Sequence, residues 1–415
     1  MPIVDFMNKS KESIYKKDSN LKFFVATILL SGLAYGFYRG VQDNYLAEIV
    51  HISEFERGIV EFFRELPGLL LIFILAAMHR FSETKVFKVG TAIMLAGILG
   101  LLLMGSSKVV VILFMVIFST GEHVVMPIKS SMSLYFAKEE KGGTSLGITS
   151  AIGQGGNIIG YLVVSVIFVI FARMGFSRQD TTAFKTVFAI ATALLVASTL
   201  VVLAMKESGQ TVKRSRLYFR KKFFKFYMLE VFYGARKQIF LTFAPYVLIL
   251  VYGANTTTIS LLLAICAVFG MFLSPAIGRI VDRLGYKIVM VTDTLILVVV
   301  CFLYGFAHRL FPMHIAFYVV AVNFVLDSII SLASMASNVY VMDLSENREE
   351  LTATLTTGIS VNHLISVIIA LLGGLIWKTV GIEVLFTMSA ILGAINSIFA
   401  ATITKPEVSL AKNQG

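Results

Sequence analysis

The stretches VILFMVIFSTGEHVVMPIKSS (residues 111–131) and AFYVVAVNFVLDSIISLASMA (residues 316–336) decide the fold. Each is a long apolar run with one acid near its centre, Glu122 in the first and Asp327 in the second, and an offset of 205 positions superposes the two acids. The same offset carries Tyr135 onto Tyr340, Gly153 onto Gly358 and Asn157 onto Asn362. The chain therefore reads as two copies of one membrane unit, each with a carboxylate at equal depth. A carboxylate in hydrocarbon costs several kcal/mol unless it faces a partner or a wet cavity. A duplicated unit with polar groups at its midplane is the sequence pattern of a secondary transporter.

Working outward, 57% of the 415 residues are hydrophobic and 15% are charged, against roughly 25% charged in soluble domains. Twelve apolar blocks reach the ~20 residues needed to cross a bilayer: about 22–46, 57–79, 86–105, 108–135, 144–173, 183–205, 226–252, 257–280, 286–308, 312–341, 352–377 and 381–404. The expected fold is an all-α membrane protein of twelve transmembrane helices in two pseudo-symmetric six-helix bundles. The bundles are 1–205, with an N-terminal tail, and 226–415, with a short C-terminal tail; a basic linker, 206–225, joins them.

The net charge of +11 is distributed by topology, which argues against a nucleic-acid surface. Of 36 Lys and Arg, 24 fall in the tails and even-numbered loops, and seven in the odd-numbered ones: Arg57, Lys108, Arg173, Arg178, Lys185, Arg309 and Lys378. By the positive-inside rule both termini face the cytoplasm. The linker run Lys213, Arg214, Arg216, Arg220, Lys221, Lys222 and Lys225 would meet anionic lipid of the inner leaflet. Cys266 and Cys301 lie inside apolar blocks without metal-ligand spacing, so neither a metal, a cofactor nor a disulfide is expected. The Lys-rich start predicts no cleavable signal peptide. An integral protein of a bacterial inner membrane, acting as a monomer on a small-molecule substrate, fits these features.

The string Gly278-Arg-Ile-Val-Asp282-Arg283-Leu-Gly285-Tyr-Lys287, between blocks eight and nine, resembles the loop motif of the major facilitator superfamily. In it Asp282 is suited to cap the next helix, and Arg283 and Lys287 to reach a neighbouring helix end. The matching first-half loop, His79-Arg80-Phe-Ser-Glu83-Thr-Lys85, lacks the Asp-Arg pair and both glycines. The resemblance implies a central cavity lined by helices one, four, seven and ten, and alternating access by two rocking bundles.

The ionisable residues inside blocks are the site candidates. Asp327 and Glu122 are placed for proton coupling, with a structural pair such as Glu122 with His123 or Lys129 as the competing reading. Arg39 on helix one and Arg236 and Lys237 on helix seven are placed to hold a substrate anion, because a guanidinium binds carboxylate or phosphate bidentately. Superfamily members that carry organic anions use a similar arginine pair, although here Lys237 is the formal mate of Arg39 at an offset of 198. The competing reading has these cations neutralising Asp43, Glu61, Glu65 and Glu122. Tyr38 and Tyr233 are candidate cavity aromatics. Glu61, Arg64 and Glu65, with Asp43, predict an ion-pair network serving as an outer gate. Lys129, Gln154, Asn157, Asn362 and His363 complete the polar set, the amides being suited to bonds between helices.

The favoured function is secondary active transport of a small organic anion or zwitterion, coupled to protons. Drug–proton efflux is the alternative, and it is weakened by the lack of a proline between Pro127 and Pro245, which the helix-five motif of such antiporters requires. A non-transporting sensor has no output domain in the sequence, and an enzyme no nucleophile or metal cluster.

Overall fold

The computed structural model describes residues 14–105, 107–138, 141–207 and 217–404. Both chain ends and residues 208–216, with Lys213, Arg214 and Arg216 of the expected linker, lie outside the described residues. The regular structure described is helical, and Tyr15 and Ala137 form an isolated β-bridge.

The helices are α1 (Leu21–Asn44), α2 (Glu54–Leu69), α3 (Leu71–Ala77), α4 (Glu83–Met104), α5 (Lys108–Phe136), α6 (Gly142–Arg173) and α7 (Thr181–Leu203). The second half supplies α8 (Phe224–Leu250), α9 (Thr256–Leu284), α10 (Tyr286–Leu310), α11 (Met313–Ile330), α12 (Met335–Leu344), α13 (Arg348–Val380) and α14 (Ile382–Ala401). Side-chain caps start many of them. Ser53, Ser82, Ser107, Asp180, Asn255 and Asn347 each accept a bond from an otherwise orphaned N–H of the first turn.

Among the described residues ten helical segments are long and apolar enough to cross a membrane. The expected blocks 57–79 and 226–252 are helical too, as α2–α3 and α8, but they carry the charges Arg57, Glu61, Arg64 and Glu65 and Glu230, Arg236 and Lys237. Outward faces agree with a lipid environment: Val109, Phe272 and Ile398 are all strongly exposed, which water would penalise. Block ten is not one continuous helix. A 3-10 turn, Ser331–Ser334, separates α11 from α12.

Two compact units emerge: residues 1–41 with 73–214, and residues 42–72 with 215–415. The first is drawn together by glycine. A Cβ on Gly36 would lie 2.4 Å from the Asn157 carbonyl oxygen, and one on Gly32 would lie 2.6 Å from that of Gly153. The α1 and α6 backbones thus touch directly, as small residues permit. The Asn157 amide, turned so that its nitrogen faces the Gly32 carbonyl 2.8 Å away, donates across the crossing. Gly36→Ala is expected to cost roughly 1–3 kcal/mol, because neither backbone can yield. Gly147→Ala in α6, where a Cβ meets nothing within 4 Å, is expected to gain up to about 1 kcal/mol of helix propensity. Opposite shifts of the unfolding midpoint in detergent test the pair.

The second unit repeats the crossing with α8 and α13, where Gly234 faces the Asn362 side chain. Its core stacks Tyr304 on Phe386 at 4.6 Å, with the edge of Phe240 against both. The Tyr304 hydroxyl donates to the Ala244 carbonyl at 2.7 Å. Beside it, Gly58 of α2 lies against the Ala370 carbonyl of α13, and Gly374 against Phe55. This close approach holds the charged face of α2 against α8 and α13.

Candidate functional site

Two polar constellations lie in the second unit, and both grow from helix starts and spacings. Ser53 and Glu56 form a reciprocal capping box that begins α2, so Arg57 sits one turn inside the helix. The spacing of four brings Arg57 Nη1 to Glu61 Oε2 at 2.9 Å, while Nη2 reaches Asp43 Oδ1, near the end of α1, at 3.1 Å. Arg57 and Asp43 side chains are fully buried. Arg64 grips Glu61 with two nitrogens, at 2.6 and 3.0 Å, and also pairs with Glu65. Gln238 of α8 donates to Glu61 Oε1 at 3.1 Å and to Thr242 at 2.8 Å. His363 Nδ1 of α13 lies 2.9 Å from Glu65 Oε2. Tyr246 covers Arg57, with the ring centroid 5.6 Å from the guanidinium carbon, and its hydroxyl donates to the Ile52 carbonyl at 2.9 Å. Each carboxylate is thus met by a donor, the condition on which buried charge is tolerated.

The expected network of Asp43, Glu61, Arg64 and Glu65 is therefore present, with one correction. Arg57, counted above among the loop cations, is the buried hub of the network. Its signal was the S-x-x-E capping box, which starts the helix before Arg57 rather than after it.

The second constellation centres on Arg236 of α8, which is 4% exposed. Its Nη2 donates to Asp327 Oδ1 of α11 at 2.9 Å and lies 3.5 Å from Ser331 Oγ in the 3-10 turn. The Tyr233 ring centroid is 5.6 Å from its guanidinium carbon, and the Tyr233 hydroxyl reaches the Ser331 carbonyl at 3.4 Å. Asp293 of α10 also acts on Arg236 electrostatically. The sequence assigned Arg236 to the substrate and Asp327 to the proton as separate tasks; the fold places them on each other. Lys237, the next residue along α8, does not share this ion pair and instead acts on Glu230.

The remaining candidates scatter. Arg39 and Tyr38 belong to the first unit, where the buried Tyr38 ring packs on Phe118 at 4.5 Å. Glu122 and Lys129, also in that unit, interact electrostatically along α5. In the orientation that bonds Gly32, the Asn157 amide oxygen lies 2.8 Å from the Gln154 side-chain amide on α6. Asn362 and His363, neighbours in sequence, divide between Glu230 and Glu65. Asp282 and Arg283 are exposed in the last turn of α9, and the capping role expected of Asp282 is not realised. The cap of α10 is Gly285, whose φ of 82° is open to glycine and strained for other residues. Arg283 at the carboxyl end of α9 complements the helix dipole instead. Gln238, Glu230 and Asp293 went unremarked in the sequence, although all three lie inside apolar blocks.

Residues 226–415 match the family model of the Major Facilitator Superfamily. No curated protein sequence matches the chain. Among solved structures, the D-xylose-proton symporter superposes with a TM-score of 0.73 at 15% identity, covering 93% of this chain and 99% of that one. The nucleoside transporter NupG gives 0.68 at 14%, covering 92% and 98%. A POT family transporter in complex with 5-aminolevulinic acid gives 0.70 at 12%, covering 91% and 94%. At such identities the likeness speaks for the fold. The second half is thus similar in sequence to the Major Facilitator Superfamily, and the whole chain shares its fold with these transporter structures.

Proposed function

We propose that the protein carries a small organic anion or zwitterion together with a proton by alternating access, and that the Arg236–Asp327 pair is the coupling element. The observation that carries this reading is the 2.9 Å bond between two buried, oppositely charged groups on α8 and α11. A substrate carboxylate and Asp327 compete for one guanidinium. A proton on Asp327 removes the competitor and leaves the fork of Arg236 to the substrate. The empty site holds Arg⁺ and Asp⁻; the loaded site holds Arg⁺, a neutral acid and an anion. For a monovalent anion the net charge is the same in both, so neither state buries an uncompensated ion when access changes; a zwitterion brings its own cation into the loaded site. Under this reading α2–α3 and α8 also cross, making twelve spans with both termini cytoplasmic, in a bacterial inner membrane. The likeness to a proton symporter supports it.

Ligand-dependent thermal stability of the purified protein tests the proposal. A ligand that binds the native state raises the apparent stability, by about 2.7 kcal/mol at a hundredfold excess over Kd. Anions or zwitterions are expected to raise the unfolding midpoint of the parent. They should leave unmoved the double variant Arg236→Gln with Asp327→Asn, which removes both charges of the pair. If lipophilic cations stabilise parent and variant alike, the anion site is wrong and efflux of such compounds takes its place.

A further inference from the structure

Glu230 stands in the second turn of α8 and takes no part in either constellation. Among the described residues its carboxylate has no ion-pair partner. Its oxygens meet neutral groups, Asn362 Nδ2 at 3.2 Å from Oε2 and Ser337 Oγ at 3.2 Å from Oε1. Lys237, two turns along the same helix, is the charged group that acts on it. From the helices packed around it, α12 contributes Ser337 and α13 contributes Gly358 and Asn362, all uncharged.

The hydroxyl of Ser337 has one hydrogen to give. Its Oγ also lies 2.9 Å from the carbonyl oxygen of Ser334, a group that can only accept. The carbonyl contact is the shorter, and with the hydrogen turned to it Ser337 Oγ and Glu230 Oε1 face each other oxygen to oxygen, an arrangement that attracts only when the carboxyl group supplies a hydrogen of its own. Glu230 is half-buried, and a charged carboxylate held there by the amide alone would be poorly compensated.

The duplicated half provides an internal control. The offset of 198 that carries Tyr35 onto Tyr233 carries Gly36 onto Gly234 and Gly32 onto Glu230, while Gly153 and Asn157 answer to Gly358 and Asn362. In the first unit the crossing closes with Gly32 against Gly153, backbone to backbone. In the second, Glu230 occupies the place of Gly32, its Cγ 3.3 Å from where a Cβ of Gly358 would stand. Packing of this helix pair therefore does not require an acid here, so a chemical role must account for it.

We propose that Glu230 is a proton-binding site, occupied in this structure, whose proton bonds Ser337 Oγ while Asn362 fixes the other oxygen. It is separate from Arg236–Asp327, and neither assignment requires the other. Loss of this proton leaves Glu230 and the Ser334 carbonyl competing for one hydroxyl hydrogen, which loosens α12 from α8.

Infrared difference spectroscopy of the full chain in membranes at neutral pH provides the test. The parent should show the carbonyl stretch of a protonated carboxylic acid that Glu230→Gln lacks. In Ser337→Ala, which loses one hydrogen bond but keeps the acid, the band should shift in frequency. Asp327→Asn should leave it in place, which keeps this result independent of the coupling reading. An identical protonated-acid band in the parent and Glu230→Gln overturns the proposal, as does a parent whose lost band lies in the carboxylate region. Glu230→Gln should fold with an unchanged unfolding midpoint, since glutamine keeps the neutral hydrogen-bonding capacity of the site.

Discussion

Arg57→Ala is expected to destabilise the protein by about 3–5 kcal/mol, the usual cost of removing one partner from a buried ion pair. Most of that loss comes from what remains. Asp43, with its side chain fully buried, loses its cation, and Glu61 keeps one cation, Arg64, which is itself partly exposed at 16%, beside the neutral amide of Gln238. The cavity beneath Tyr246 adds to the loss. Arg57→Lys keeps the charge but not the fork that reaches Asp43 and Glu61 at once, so it should fall between parent and alanine. Neutralising the partners as well, with Arg57→Met, Asp43→Asn and Glu61→Gln together, should recover much of the lost stability because no buried charge is stranded. Unfolding midpoints in detergent decide the matter. A loss below about 1 kcal/mol for Arg57→Ala, the range of exposed ion pairs, would show that water reaches the network and that it is no hub.

Asp327→Asn is expected to abolish accumulation of substrate against its gradient while leaving exchange of internal for external substrate. The asparagine cannot exchange a proton and no longer neutralises Arg236, so the anion site is permanently available. With one proton per substrate, each unit of pH difference is worth about 1.4 kcal/mol, or about tenfold accumulation. The parent in vesicles should show that dependence and the variant none. Retained pH-driven accumulation in Asp327→Asn would remove Asp327 from coupling.

The class of fold was legible because twelve apolar runs can be counted without knowing their packing, and each is helical in the structure. Both acids at the repeat midpoints were legible too, as were the spacings that join Glu61 to Arg64. Partner choice was not. Arg236 is followed by Lys237, and the sequence offers no reason for one to meet Asp327 while the other acts on Glu230. A difference of about 100° around α8 decides it. Asn362 and His363 part company for the same reason. Arg57 was misplaced because its charge was counted ahead of its cap. Glu230 was passed over because its repeat-mate is a glycine, so the search for matching polar pairs found nothing opposite it.

The glycine crossing of α1 and α6 has a mechanical consequence. Where side chains interdigitate, a helix can slip or roll by exchanging rotamers at modest cost. Here the Gly36 face meets the Asn157 carbonyl with no side chain between them, and there is no rotamer to exchange. Sliding by one residue would drive Tyr35 or Phe37 into that carbonyl. The two helices share a single register and must travel as one rod, so whatever motion the first unit makes during turnover has to be absorbed at other joints.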